Sequence, residues 1–250
     1  MNQAAVNSPG TVLSVEAATR FRPFEKVTEF GLLAAAVFSV FITAGIVYVL
    51  FSEAIPFFTH KDVSFWKFLT DPQWTPLFAD KHFGIMSLVS GTLVTTFTAL
   101  SVAIPVGTTI AIWLSEVARP TLRESIKPVL EVLSAVPTVV YGYFAISVVA
   151  PSLQWIFPSL PLFNMLSAGL VMGIMIIPYV SSLSEDAMRS VPMLLREGSY
   201  GMGANRLTTA YRVVFPAALS GIAASYILAI SRAVGETMIV AIAAGNEPRL

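Results

Sequence analysis

The sequence predicts an all-α membrane protein that crosses the bilayer several times. Of its 250 residues, 55% are hydrophobic and only 12% are charged, against roughly 25% charged in a soluble domain. The mean hydropathy is +0.74. The apolar residues are gathered into uncharged runs, and a helix needs about 20 of them to cross a membrane. These observations exclude a disordered chain, a basic nucleic-acid-binding domain and an ordinary cytosolic enzyme. There is no cysteine, so disulfides, thiolate metal sites and cysteine nucleophiles are excluded as well.

The first run, 30–51, lies between Glu29 and Glu53. It is too long for a signal peptide, no small-residue cleavage site follows it, and no basic stretch opens the chain. It predicts an uncleaved anchor preceded by a tail over 1–28, of which 1–19 is expected to be disordered. The second run, 83–115, predicts a crossing over roughly 88–114. The third, 132–184, holds two spans. Pro151, Pro158 and Pro161 punctuate its middle, with Trp155 and Phe157 between them, so the helices are placed at 127–149 and 162–183. The last run, 213–244, is interrupted only by Arg232 and Glu236. Pro105, Pro137 and Pro178 fall within spans as tolerated kinks, with hinges as the functional alternative. Gly169 and Gly173 have the spacing of a thin, close-packing face.

Orientation follows from Lys and Arg. Arg20, Arg22, Lys26, Arg119, Arg123, Lys127, Arg189, Arg196, Arg206 and Arg212 fall on one side. Only Lys61, Lys67, Lys81 and Arg249 fall on the other. This predicts a cytoplasmic N-terminus and an external loop over 52–82 with Trp66 and Trp74 at the headgroup level. His60 and His82 lie in that loop without a second ligand at helical spacing. They are expected to be solvated rather than metal-binding.

The connection between the last two spans, 185–212, contains Leu195-Arg196-Glu197-Gly198-Ser199-Tyr200-Gly201-Met202-Gly203-Ala204-Asn205. Nine residues then separate Gly203 from Val213-Val214-Phe215-Pro216. On physical grounds this is a short helix, a Gly-rich bend and a basic stretch entering a membrane helix, with Pro216 near that helix's start. The spacing resembles the EAA loop of ABC-importer permeases: Glu-Ala-Ala, three residues, Gly, nine residues, Ile-x-Leu-Pro. Glu197 and Gly203 match and Pro216 is in register. Gly198 and Ser199 replace the alanines, Val213 the Ile and Phe215 the Leu.

The stretches Gly91 to Gly107, Trp113-Leu114-Ser115-Glu116, Lys127 to Gly142 and Ser231 to Met238 resemble the phosphate-transport permeases of that family, of PstC type, with PstA type as runner-up. Together they cover about residues 85–246. The resemblance implies a type I ABC importer permease fold over 29–250, with five spans seen and an expected sixth missing. The chain is therefore expected to be a truncated product or fragment. The resemblance also implies a coupling helix within 196–205 that docks on a cytoplasmic ATPase, involving Arg196, Glu197, Gly198, Ser199, Gly203, Ala204 and Asn205. It implies a second permease (PstA-like), two ATPase subunits (PstB-like), an external phosphate-binding protein (PstS-like) and contact with membrane lipid, but not with nucleic acid. No Gly-rich loop followed by Lys-Ser or Lys-Thr is present. ATP and magnesium are therefore expected on the partner subunits, and no cofactor on this chain.

Arg232 and Glu236 are four residues apart and are expected to share one helix face. A central Arg costs about 2.5 to 3.5 kcal/mol on insertion scales, so it faces protein, a partner or a watery path. The pair is either a mutual ion pair that offsets its own burial or an anion site, since a guanidinium matches phosphate oxygens. The resemblance implicates it in transport. Glu131 is a secondary candidate, read as a carboxylate near the cytoplasmic start of its helix. Alternatives are a permease for molybdate or sulfate, a secondary transporter and a membrane-embedded enzyme. The last lacks a recognisable nucleophile and base.

Overall fold

The computed structural model describes residues 22–59, 64–76 and 81–245. The expectations for 1–19, Arg20, His60, Lys61 and Arg249 fall outside these. The chain divides into two units, Met1–Phe65 and Trp66–Leu250. The first contains α1 (Arg22–Thr59), whose residues are exposed from Glu25 to Glu53. A helix apolar all round pairs its backbone internally and offers only side chains to lipid. The expected anchor is therefore one helix, longer at both ends than its apolar run.

In the second unit, after a short helix α2 (Phe65–Thr70), a loop closes through a bridge between Trp74 and Phe83. There the His82 imidazole meets Asp71 at 2.7 Å. That hydrogen bond, followed by one from the Gln73 backbone, holds the Asp71 carboxyl below its ordinary value. The helices that follow are α3 (Met86–Val117), α4 (Pro120–Ala135), α5 (Thr138–Ile156) and α6 (Met165–Arg189). They lead to α7 (Met193–Gly201), α8 (Arg206–Ala217), α9 (Leu219–Val234) and α10 (Met238–Ala243). Among the described residues, α1, α3, α5 and α6 are long and apolar enough to cross a membrane. The bent pair α8 and α9 makes a fifth crossing if counted as one.

The structure moves one predicted span. The helix expected over 127–149 is broken, because the residue before a proline is driven out of the α region. Val136 is extended, with ψ 131°, and Pro137 stands at the N-cap of α5. Pro137 is thus a boundary and not a kink, whereas Pro105 and Pro178 do lie inside α3 and α6. The amphipathic α4 is a separate helix, and the spanning segment begins at Thr138.

Pro151, expected in the break, lies within α5. Three π turns, Trp113–Val117, Ala145–Val149 and Ala210–Val214, each precede a proline: Pro120, Pro151 and Pro216. A proline ring clashes with the carbonyl four residues back. For Pro151 and Pro216, inside α5 and α8, that carbonyl lies in the π turn, where the widened winding displaces it. Pro120 instead starts α4 after the extended Ala118 and Arg119, so no such clash arises there.

The single span expected over 213–244 is also divided. The chain bends by 74° between α8 and α9, so Pro216 closes the first arm just ahead of α9. A second break at Gly235–Thr237 ends α9 before α10.

Close approach of α3 and α6 builds the centre. A Cβ on Gly173 would lie 2.8 Å from the Ala99 carbonyl oxygen, and one on Gly169 would lie 2.7 Å from Thr98 Cβ. The thin face predicted from these two glycines is real. Around it Met172, Met175, Ile176 and Val180 of α6 pack with Ala99 and Ala103 of α3 and Ala229 and Ala233 of α9. A second cluster joins Ala111, Ile112, Met188, Val214 and Ile222. Hydroxyls pair across helices, the buried Ser184 with Ser225 at 2.7 Å and the half-buried Thr108 with Tyr226 at 2.7 Å.

Candidate functional site

The loop after α6 folds as a short helix with a glycine bend, as its sequence predicts. Pro192 stands at the N-cap of α7. Gly203 has φ +84°, a conformation that disfavours side chains bearing a Cβ. Gly203 N–H donates to the Tyr200 carbonyl at 2.8 Å and Ala204 N–H to that of Ser199 at 3.2 Å. This is a Schellman closure, which satisfies the last carbonyls of the helix. Asn205 then caps α8, its Oδ1 accepting from Thr208 N–H at 2.8 Å.

The residues expected to couple to a partner divide between two faces. Glu197, Gly198, Gly203 and Asn205 are exposed, and Ala204 is half-buried. Arg196 and Ser199 turn inward. Arg196 Nη2 donates to Glu116 Oε1 at 3.0 Å and to the Met188 carbonyl at 2.8 Å, and its Nη1 donates to the Val191 carbonyl at 2.6 Å. Ser199 Oγ pairs with Thr209 Oγ1 at 2.9 Å. Arg196 therefore fastens α7 to the end of α3 and does not point outward.

A second fastener escaped the sequence reading. Glu185, fully buried on α6, accepts from Lys127 Nζ at 3.1 Å, while Asp186 accepts from the same Nζ at 2.6 Å. Arg123 and Arg189 approach its other oxygen at 3.8 and 3.7 Å. Burial works to lower the Lys127 pKa, but the bonds to Asp186 and Glu185 outweigh it, and the net shift is upward. The available signal was the spacing of Arg123 and Lys127, which puts both cations on one face of α4.

Arg232 and Glu236 do not form the expected helical pair. Their four-residue spacing matters only in a continuous helix, and α9 stops at Val234 with Gly235 as its C-cap. Glu236 Oε1 instead accepts from Met238 N–H at 3.1 Å and Ile239 N–H at 3.3 Å, capping α10 as a carboxylate does at a helix N-terminus. Arg232 lies over the Tyr179 ring, with Cζ 4.4 Å from the centroid. Its buried Nε has no hydrogen-bond partner, and among the described residues it has no ion pair.

Glu236 lines a cavity of about 470 Å³ with Ser87, Thr92, Thr95 and Thr237, and the buried Ser87 Oγ is unpartnered. Glu131 is exposed and belongs to the C-terminal half of α4. The break at Pro137 detaches it from the following span, so it does not stand near a helix start.

The family described as "Binding-protein-dependent transport system inner membrane component" matches residues 103–248. A probable ABC transporter permease protein YqgH of Bacillus subtilis is 32% identical over 85% of this chain and 69% of its own. The phosphate transport system permease protein PstC of Mesorhizobium japonicum is 32% identical over 87% of this chain and 71% of its own. The methionine ABC transporter MetNI in an inward-facing conformation aligns with a TM-score of 0.48 at 20% identity, over 61% of this chain and 68% of that one. With its run of membrane-crossing helices and its glycine-closed loop helix between α6 and α8, the chain belongs to the binding-protein-dependent transport system inner membrane component family.

Proposed function

We propose that this chain is the PstC-type permease subunit of an ATP-driven phosphate importer, with 29–250 as its permease domain. The observation that carries the reading is Arg232, a cation inside the apolar bundle with a ring beneath it and no carboxylate partner among the described residues. Its free Nε–H suits an oxyanion. The likeness to proteins named PstC supports phosphate as that ion. Glu236, held at the start of α10, contributes a negative charge beside the path that limits anion retention, because a transit site must also release.

The exposed face of α7, with Glu197 and Gly198, is the docking surface for an ATPase partner, and the inward Arg196 and Ser199 carry its movement into α3 and α8. In this reading the N-terminus is cytoplasmic in a bacterial or archaeal membrane. A PstA-like permease, two PstB-like ATPases that bind ATP and magnesium, and a PstS-like external binding protein complete the assembly. The chain itself catalyses no reaction.

Phosphate uptake in a permease-null strain tests the assignment. Wild-type chain restores uptake, and Arg232→Gln abolishes it while the partner subunits still co-purify. Uptake at the wild-type rate by the variant removes Arg232 from the path. Restoration of molybdate or sulfate uptake in place of phosphate changes the ion.

A further inference from the structure

A cavity of about 490 Å³ lies where α3, α4, α6, α7 and α8 converge, away from Arg232, and four of its lining residues are arginines: Arg123, Arg189, Arg196 and Arg206. That size is within the range of ligand sites. Tyr200 and Glu116 also line it. The Arg196 charge is cancelled by Glu116 and its donors are taken. The other three are not satisfied in this way. Arg123 and Arg189 reach the buried Glu185 only at 3.8 and 3.7 Å, beyond hydrogen-bond length. The one oxygen they share has no hydrogen-bond partner. Arg206 has no ion pair or side-chain hydrogen bond among the described residues. Arg123, Lys127 and Arg189 approach the carboxylates of Glu185 and Asp186, and with the unpaired Arg206 the cations outnumber those carboxylates by two, so the pocket keeps an excess of positive charge.

We infer that this pocket binds a phosphate-oxygen anion, either the headgroup of an acidic phospholipid or inorganic phosphate. Guanidinium forks match tetrahedral oxyanions in geometry as well as charge. The pocket sits at the end of the membrane-crossing α3 and α6, the level at which basic pockets between helices meet acidic headgroups. Three guanidiniums that no carboxylate bonds within hydrogen-bond length gather at one water-accessible opening, Arg123 partly exposed and Arg189 and Arg206 exposed, so each keeps donors that an entering anion can take over from water. An occupant would tie α4, α6 and α8 together at the base of the loop helix.

The test uses the purified assembly containing the full chain, analysed by native mass spectrometry with added phosphatidylglycerol or phosphatidylcholine. Equilibrium binding of radiolabelled inorganic phosphate is measured in parallel on the Arg232→Gln background, without the external binding protein and with the ATPase sites filled by a non-hydrolysable ATP analogue, so that neither those subunits nor the transport path contributes. Retention of phosphatidylglycerol but not phosphatidylcholine identifies the lipid as the source. Saturable phosphate binding identifies the free ion.

In either case Arg206→Gln and Arg189→Gln each weaken binding by about tenfold, the loss of one charge-assisted hydrogen bond. Arg212→Gln, a nearby exposed cation outside the pocket, leaves it unchanged. Binding of neither probe overturns the assignment. So does equal weakening by Arg212→Gln, or release of a protein partner by Arg206→Gln with both probes bound as before. Binding is read without transport, so its failure and a failure of the uptake assay are separate results.

Discussion

Arg196 and Arg232 are both arginines drawn into a bundle of apolar helices, yet they are held in opposite ways. Arg196 has a carboxylate and two carbonyls on its guanidinium. Arg232 has an aromatic face and an unpartnered Nε. Burying a charge is unfavourable unless it is paired, so a fold that fully pairs one and leaves the other open is using them differently. The first is a fastener whose donors are spent on the protein. The second keeps an unpartnered donor, which the transport role proposed above assigns to the passing anion. Sequence position does not separate them, since each is a lone cation in a helix; the nearest carboxylate in space does.

The contrast breaks most readily at Arg196. Arg196→Met strands Glu116, whose side chain is 3% exposed, and losing one partner of a buried pair costs about 3–5 kcal/mol. A large fall in thermal unfolding temperature of the solubilised protein is expected, and an unchanged transition would make Arg196 no more a fastener than Arg232. Next in size is Gly173→Ala, where the new Cβ meets the Ala99 carbonyl. Overpacking of this kind costs about 1–3 kcal/mol and lowers the same transition.

Arg232→Met is expected to change stability by about 1 kcal/mol or less, the size of a cation–π contact, while uptake is lost. A stability loss as great as that of Arg196→Met would show that Arg232, too, is structural. The smallest effect is in pH. Lys127 is raised above its ordinary 10.5, so its contribution is complete below that value and is lost as pH rises past the raised one. Hydrogen-exchange protection factors in α4, taken relative to the intrinsic base-catalysed rate, should be flat through neutral pH and fall only in strong alkali.

The positions of α1, α3 and α6 were legible because partition into lipid depends on composition summed over a run. The breaks were not, because a hydrophobic window counts residues without regard to direction. Nothing in the apolar run over 213–244 signals a 74° turn. The stop at Gly235 likewise overrides the spacing that made Arg232 and Glu236 look paired. The loop helix was legible from Gly203 and its neighbours, since helix closure is local. The inward turn of Arg196 was hidden because its partner Glu116 is 80 residues away. Glu185 was hidden for the same reason, since Arg123 and Lys127 come from the separate helix α4 and only Arg189 is its neighbour on α6.

The bend between α8 and α9 has a mechanical consequence. At 1.5 Å per residue, the Arg206–Ala217 arm is about 18 Å long, so a tilt of about 10° at the elbow sweeps its far end through about 3 Å. Asn205 and the Schellman turn stand at that far end. The protein therefore carries a crank, on which a push felt at the glycine turn arrives at Ala218 as torque on the root of the helix that bears Arg232.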